Sequence, residues 1–223
     1  MAKQKGIIKL DGTIGGITFY KTTEDGYLAR EKGGVSADKI ANDPNFQRTR
    51  ENGEEFGRAG KAGKLLRNSI RAMLQNASDS RMVGRLTQKM VEVIQEDLTN
   101  PRGQRNVIDG EAELLEGFEF NINGKLGTTL YAPFTGTIDR VAGTLTANIP
   151  AFVPINMLAA PGGATHFKIV SAGAEIDFEN ETFVMDAQAT GVLPWDATAT
   201  AVINLVNAVT ANSTHPLFLA LGI

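Results

Sequence analysis

The sequence predicts an α+β protein: an N-terminal β-hairpin arm and a long helical hairpin, followed by an antiparallel β-sandwich. Three observations predict it. First, Ile17–Tyr20 and Tyr27–Glu31 flank Thr23-Glu24-Asp25-Gly26, and Asp-Gly between β-branched and aromatic runs is a strong hairpin signal. Second, residues 43–98 carry apolar and small side chains at 3-4 spacing, the periodicity of a helix. Third, from about Val107 helix formers give way to short runs of Thr, Val, Ile and Phe punctuated by Gly and Pro, as in a sandwich. The chain is accordingly divided at 1–42, 43–105 and 106–223.

In the arm, Gly15 and Gly16 precede Ile17-Thr18-Phe19-Tyr20-Lys21, and Tyr27-Leu28-Ala29-Arg30-Glu31 returns. An isolated hairpin is marginal in water, so this one needs a host sheet in its own C-terminal half or on a neighbour. Its candidate contact residues are Ile17, Phe19, Tyr20 and Tyr27. Lys32–Ser36 is a flexible link.

Asp43 before Pro44 is a helix start, because Asp caps free N–H groups and Pro is tolerated at the first helical position. One face then runs through Phe46, Thr49, Gly53, Phe56, Gly60, Gly63, Arg67, Ile70 and Leu74, which takes the helix to about Gln75. Gly53, Gly57, Gly60 and Gly63 each cost about 1 kcal/mol of helix stability against Ala. Such a concentration predicts close approach of another backbone; the alternative is a helix broken at the glycines. Asn76-Ala77-Ser78-Asp79 reads as a turn. A second helix reaches about Leu98, with Met82, Leu86, Met90, Val93 and Ile94 as its apolar stripe. The short connection predicts an antiparallel helical hairpin.

In the last part, strands are expected near Phe118–Asn123, Leu126–Tyr131, Gly136–Val141, Thr144–Ile149, His166–Ala172, Ala174–Phe178, Thr182–Ala187, Ala199–Val206 and Leu217–Leu221. Glu175, Asp177, Glu179 and Glu181 alternate, which on a strand places them on one face. That face is a charged, solvated edge or a docking surface for Arg and Lys of a neighbour, with a Ca²⁺ site as the third reading.

Charge is divided along the chain. Residues 1–105 carry 19 Lys and Arg against 13 Asp and Glu, while residues 106–223 carry 3 against 12. A division of this kind suits nucleic acid or complementary surfaces on neighbouring subunits. Arg58, Lys61 and Lys64 make the long helix basic, but Glu51, Glu54 and Glu55 dilute its field, and few aromatic side chains stand near for base stacking. Nucleic acid therefore ranks below assembly.

Residues 12–67, GTIGGITFYKTTEDGYLAREKGGVSADKIANDPNFQRTRENGEEFGRAGKAGKLLR, resemble the opening of an uncharacterised protein family of Bacteroidota genomes and their mobile elements. The resemblance covers the first third closely and the remainder loosely. It implies that arm and long helix form one unit, and a bacterial or phage-related source. It transfers no catalytic residue.

Chemistry is sparse. With no Cys there is no disulfide framework, thiolate nucleophile or Cys-based zinc site. His166 and His215 lie far apart in sequence, and no nucleophile elbow, P-loop or zincin motif is present. Gly57–Lys64 has the composition of a phosphate loop but lacks its Gly-Lys-Ser/Thr ending. No enzyme, cofactor or metal is expected. The N-terminus has no apolar core of a secretory signal, so synthesis in the cytoplasm is expected, with a virion-like or extracellular assembly as the destination. No run spans a membrane. The expected function is a structural subunit whose partners are copies of itself and other structural subunits. A binding module for carbohydrate or protein on the sandwich is the alternative.

Overall fold

The computed structural model describes residues 2–75 and 77–223; of the expected turn, Asn76 lies outside them. The chain forms two units, the first ending at Arg50 and the second running Glu51–Ile223.

In the first unit, strands β1 (Ala2–Lys3), β2 (Gly12–Ile14), β3 (Ile17–Thr22) and β4 (Gly26–Glu31) make an antiparallel sheet in the order β1-β4-β3-β2. The Asp-Gly hairpin is present, closed by Gly26 at φ 75°. Among the described residues its host strands are its own sequence neighbours. They are supplied by residues 2–14, which pair Ala2 with Ala29 and Ile14 with Ile17. The reason is local: Gly15-Gly16 forms a two-residue turn with Gly15 at φ 57°, conformationally open to glycine. The short helix α1 (Ala37–Asn42) is capped by Ser36, whose Oγ accepts from Lys39 N–H. Asp43 then caps a 3-10 turn at Pro44–Phe46. Arg50 closes this corner by donating to the carbonyls of Ile40 and Asp43.

Helix α2 (Gln47–Ser69) runs unbroken through all four glycines. What offsets their propensity cost is a buried stripe of Ala59, Ala62, Leu65, Leu66 and Ser69. The expected continuation to Gln75 is interrupted at Ile70 (φ −108°, ψ 22°), after which α3 (Arg71–Leu74) adds one turn. Helix α4 (Met82–Gln95) buries Met82, Leu86, Met90, Val93 and Ile94, the stripe read from the sequence. Each such side chain contributes roughly 1.5–3 kcal/mol when fully buried.

The remaining elements are α5 (Leu126–Thr129), β5 (Thr135–Asp139), β6 (Thr144–Ile149), α6 (Pro154–Met157), β7 (His166–Phe167), β8 (Val170–Asp177), β9 (Thr182–Ala189), β10 (Leu193–Pro194), β11 (Ile203–Ala208) and β12 (Leu217–Gly222). Two three-stranded antiparallel sheets, β12-β8-β9 and β11-β6-β5, carry the architecture, and β7 pairs with β10. Alternation along β8 explains the layering. Ala172, Ala174 and Ile176 join the core of α2 and α4, whereas Ser171 and Gly173 meet Asn207 of β11. β8 is therefore buried on both faces between the helices and the second sheet. A second core gathers Ala147, Ile149, Phe152, Ile169, Ile203 and Leu205.

Among the expected strands, three further differences stand out. Phe118–Asn123 is a loop, because Gly117 has φ 72° and Asp79 and Arg85 hold the segment by accepting from Ile122 N–H and donating to Glu119 O. Its aromatic pair Phe118 and Phe120 packs on the helices, not in a sheet. Of Leu126–Tyr131, Leu126–Thr129 is one helical turn, with Thr128 and Thr129 hydroxyls donating back to Lys125 O, and Leu130 makes only an isolated bridge to Leu158. The expected break at Gly173 is absent. A Cβ there would stand 2.7 Å from Asn207 Cβ, so this glycine lets the sheets approach and does not turn the chain.

Candidate assembly interface

The residues singled out from the sequence fall on three surfaces. On the N-terminal sheet, register places Ile17 and Phe19 on one face with Ile14, Tyr27 and Ala29, and Tyr20 on the other with Leu28 and Arg30. Lys21 and Lys9 stand over the Tyr27 ring at 5.4 and 5.8 Å, and Arg30 over Tyr20 at 5.4 Å. Among the described residues of this unit only Leu28 is buried; Ile7, Ile8, Ile14 and Ile17 are exposed.

On α2, the glycine face divides. Gly63 packs inward, where an added Cβ would meet Leu86 Cγ at 3.5 Å and Met90 Cγ at 3.7 Å. Gly53, Gly57 and Gly60 point outward, and nothing within 4 Å would meet a Cβ on any of them. The close backbone approach expected at these three is therefore not made among the described residues. Phe56, beside them, is 61% exposed. Together with α4 it borders an open, mainly apolar groove of about 480 Å³, floored by Gly60 and Gly84 and flanked by Val83, Val91 and Arg67.

The charged residues are largely engaged within the chain. Arg58 donates to the carbonyls of Gly103 (2.6 Å) and Arg105 (3.1 Å). Lys61 stands 3.8 Å from Glu181, an exposed pair of small energetic weight, while Lys64 is exposed. The four alternating carboxylates do not share a strand face, since β8 ends at Asp177. Glu175 is buried and accepts from Ser213 Oγ (2.6 Å) and Thr210 N–H (3.0 Å). Burial works to raise its pKa, but these hydrogen bonds outweigh it and hold the group below the ordinary range. Asp177 caps its own turn, accepting from Asn180 and Glu179, and its pKa is lowered by the Asn180 amide first. Glu179 and Glu181 are exposed on the turn that follows, beside Lys61 in an open cleft of about 550 Å³.

Two features escaped the sequence reading. One is the carboxylate box at Asp97, which is 1% exposed. It accepts from the N–H groups of Thr99, Asn100 and Asn106 and from the Asn100 amide, at 2.8–3.0 Å. Burial alone would raise its pKa; the bonds from Asn100, Asn106 and Thr99 prevail and set it at about 2. The Asp97-x-Thr99-Asn100 run carries a local turn signal, but its burial depends on Glu55 fixing the same loop from α2 through Gly103 N–H. The other feature is the exposed pair Val83 and Gly84 of α4, which lies off the Met82–Ile94 stripe and borders the groove.

Among the described residues no cluster of three His, Asp or Glu side chains could hold a metal ion. His215 Nε2 stands 3.8 Å from Asp177 Oδ2, and His166 Nδ1 bonds Thr165 Oγ1, so the two histidines serve separate local contacts. No described helix is long and apolar enough to cross a membrane. No protein-family model, curated protein or solved structure matches this chain. The functional reading accordingly rests on these surfaces.

Proposed function

We propose that this chain is a non-enzymatic structural subunit that assembles with copies of itself into a particle, tube or filament of a virion-like or extracellular kind. One observation carries the reading. The first unit orders about fifty residues with Leu28 the single buried apolar side chain among those described, and leaves Ile7, Ile8, Ile14 and Ile17 in water. Ordering backbone costs roughly 1–2 kcal/mol per residue, and one buried Leu returns only about 1.5–3 kcal/mol. A sheet with this balance is supported when its apolar face is covered by another surface, and a neighbouring copy supplies one. The opposite charges of the two halves favour head-to-tail contacts, which give rings or open filaments.

The test is electron microscopy and light scattering of the full chain across concentration and salt, beside an Ile14→Asp/Ile17→Asp variant. The expected result is a large homomeric assembly that the variant loses while the second unit stays folded. A monodisperse species of 23.9 kDa at high concentration and low salt would refute the reading.

A second reading, a binding module, has one observation in its favour. The outward face of β11-β6-β5 sets Thr135, Thr137, Thr146, Asn148 and Asn204 in a grid of hydroxyls and amides whose one charged member is Asp139. Glycan-array binding abolished by Thr137→Lys, with no self-assembly, would favour it.

A further inference from the structure

We propose that the outward face of the α2–α4 hairpin is a two-fold interface between two copies of this chain, with Phe56 of each copy seated in the groove of the other beside Gly60 and Gly84. The proposal rests on the self-assembly reading and adds which surface makes a closed contact.

Shape is the first argument. Phe56 is a large apolar side chain left exposed, and the groove next to it is apolar, open, and floored by two glycines with free space above them. A two-fold axis turns α2 antiparallel to its copy. If the axis passes at residue 58, Phe56 lies about 3 Å to one side along the helix and Gly60 about 3 Å to the other. The rotation therefore sets each Phe56 at the height of the partner's Gly60. Such a contact is self-complementary, as an isologous interface requires.

Charge is the second argument, and it selects a copy of this chain over another partner. Glu54 precedes the Gly57–Gly60 patch and Lys61 and Lys64 follow it, all exposed. Neither Glu54 nor Lys64 has an ion-pair partner among the described residues. The antiparallel rotation brings the acidic end of one helix beside the basic end of the other at both ends of the contact, so the surface is its own electrostatic complement. Arg67 also lines the groove and adds a positive charge at its edge.

The absence of cysteine makes the test direct. Gly57→Cys places one thiol next to the axis at a position with free space, and Val141→Cys places one on an exposed loop of the sandwich as a control. Under mild oxidation at low concentration, the Gly57→Cys protein is expected to give a covalent dimer in at least tenfold greater yield than the Val141→Cys protein. Adding Phe56→Asp should abolish that cross-link without lowering the melting temperature. Equal yields from the two single-cysteine proteins, or a cross-link indifferent to Phe56→Asp, overturns the interface. So does preferential cross-linking of the Gly57→Cys protein to an Ile17→Cys protein in a mixture, which would seat the N-terminal sheet on this face. Large assemblies without the Gly57→Cys cross-link remove the interface and leave self-assembly standing. The cross-link in a protein that never exceeds a dimer confirms the interface and removes the larger assembly.

Discussion

Replacing Gly57 and Gly63 separately by Leu measures what packing adds at two positions of one helix. The propensity gain is the same at both, about 1 kcal/mol per glycine removed from a helix interior. The surroundings differ. A Cβ at Gly57 meets nothing within 4 Å, so the single chain should keep most of the gain and melt about 2–4 °C higher. At Gly63 the first carbon already touches Leu86 and Met90, and the three further carbons of Leu enter a filled core. Overpacking there costs roughly 1–3 kcal/mol. Subtracting one variant from the other cancels propensity, leaving a difference of about 1–3 kcal/mol, or roughly 2–12 °C in melting temperature. The assay is thermal unfolding by circular dichroism at low protein concentration. A Gly63→Leu protein that melts at or above Gly57→Leu would refute the packing assigned to this helix. Repeating the comparison at high concentration adds the functional readout: Gly57→Leu should lower the assembled fraction although it stabilises the chain. If assembly is unaffected, the outward glycine face is not a contact surface.

Asp97→Ala leaves three backbone N–H groups without their acceptor, and at about 1 kcal/mol each the loss should be roughly 3 kcal/mol by chemical denaturation. Because the Asp97 pKa falls from 3.8 to about 2 on folding, its contribution is complete above pH 3.8 and disappears as pH drops through 2. Stability measured between pH 4 and pH 2 should therefore fall less steeply in Asp97→Ala than in the parent. Glu175→Gln weakens charge-assisted bonds from Ser213 and Thr210 and should cost about 1.5–3 kcal/mol, read as a lower melting temperature at pH 7. Its lowered pKa gives the same sign: the contribution is present above 4.5 and lost on acidification, so the variant should also lose part of the parent's acid sensitivity.

The contact surfaces were legible unevenly. Phe56 and the four glycines were visible as a pattern, since 3-4 spacing is a property of the chain alone. Which of those glycines faces the core was not, because the face shared by Phe56, Gly60 and Gly63 straddles the boundary between α4 and water. The alternating carboxylates were misassigned because period 2 has meaning only while the strand lasts, and β8 stops at Asp177.

By itself the sequence determined what short-range physics determines. Asp25-Gly26 closes the hairpin, Asp43-Pro44 opens the long helical segment, and Met82 through Ile94 set the buried stripe of α4. Only the tertiary structure decided the rest. It carries β8 straight through Gly173 because Asn207 of the facing sheet occupies the space of a side chain. It keeps Phe118–Asn123 out of the sheets because Asp79 and Arg85 claim the backbone groups a strand would pair. It buries Glu175 because Ser213 and Thr210, more than thirty residues away in sequence, return to meet it. In each case the deciding partner is distant along the chain, and local propensities are too weak to outweigh a contact made there.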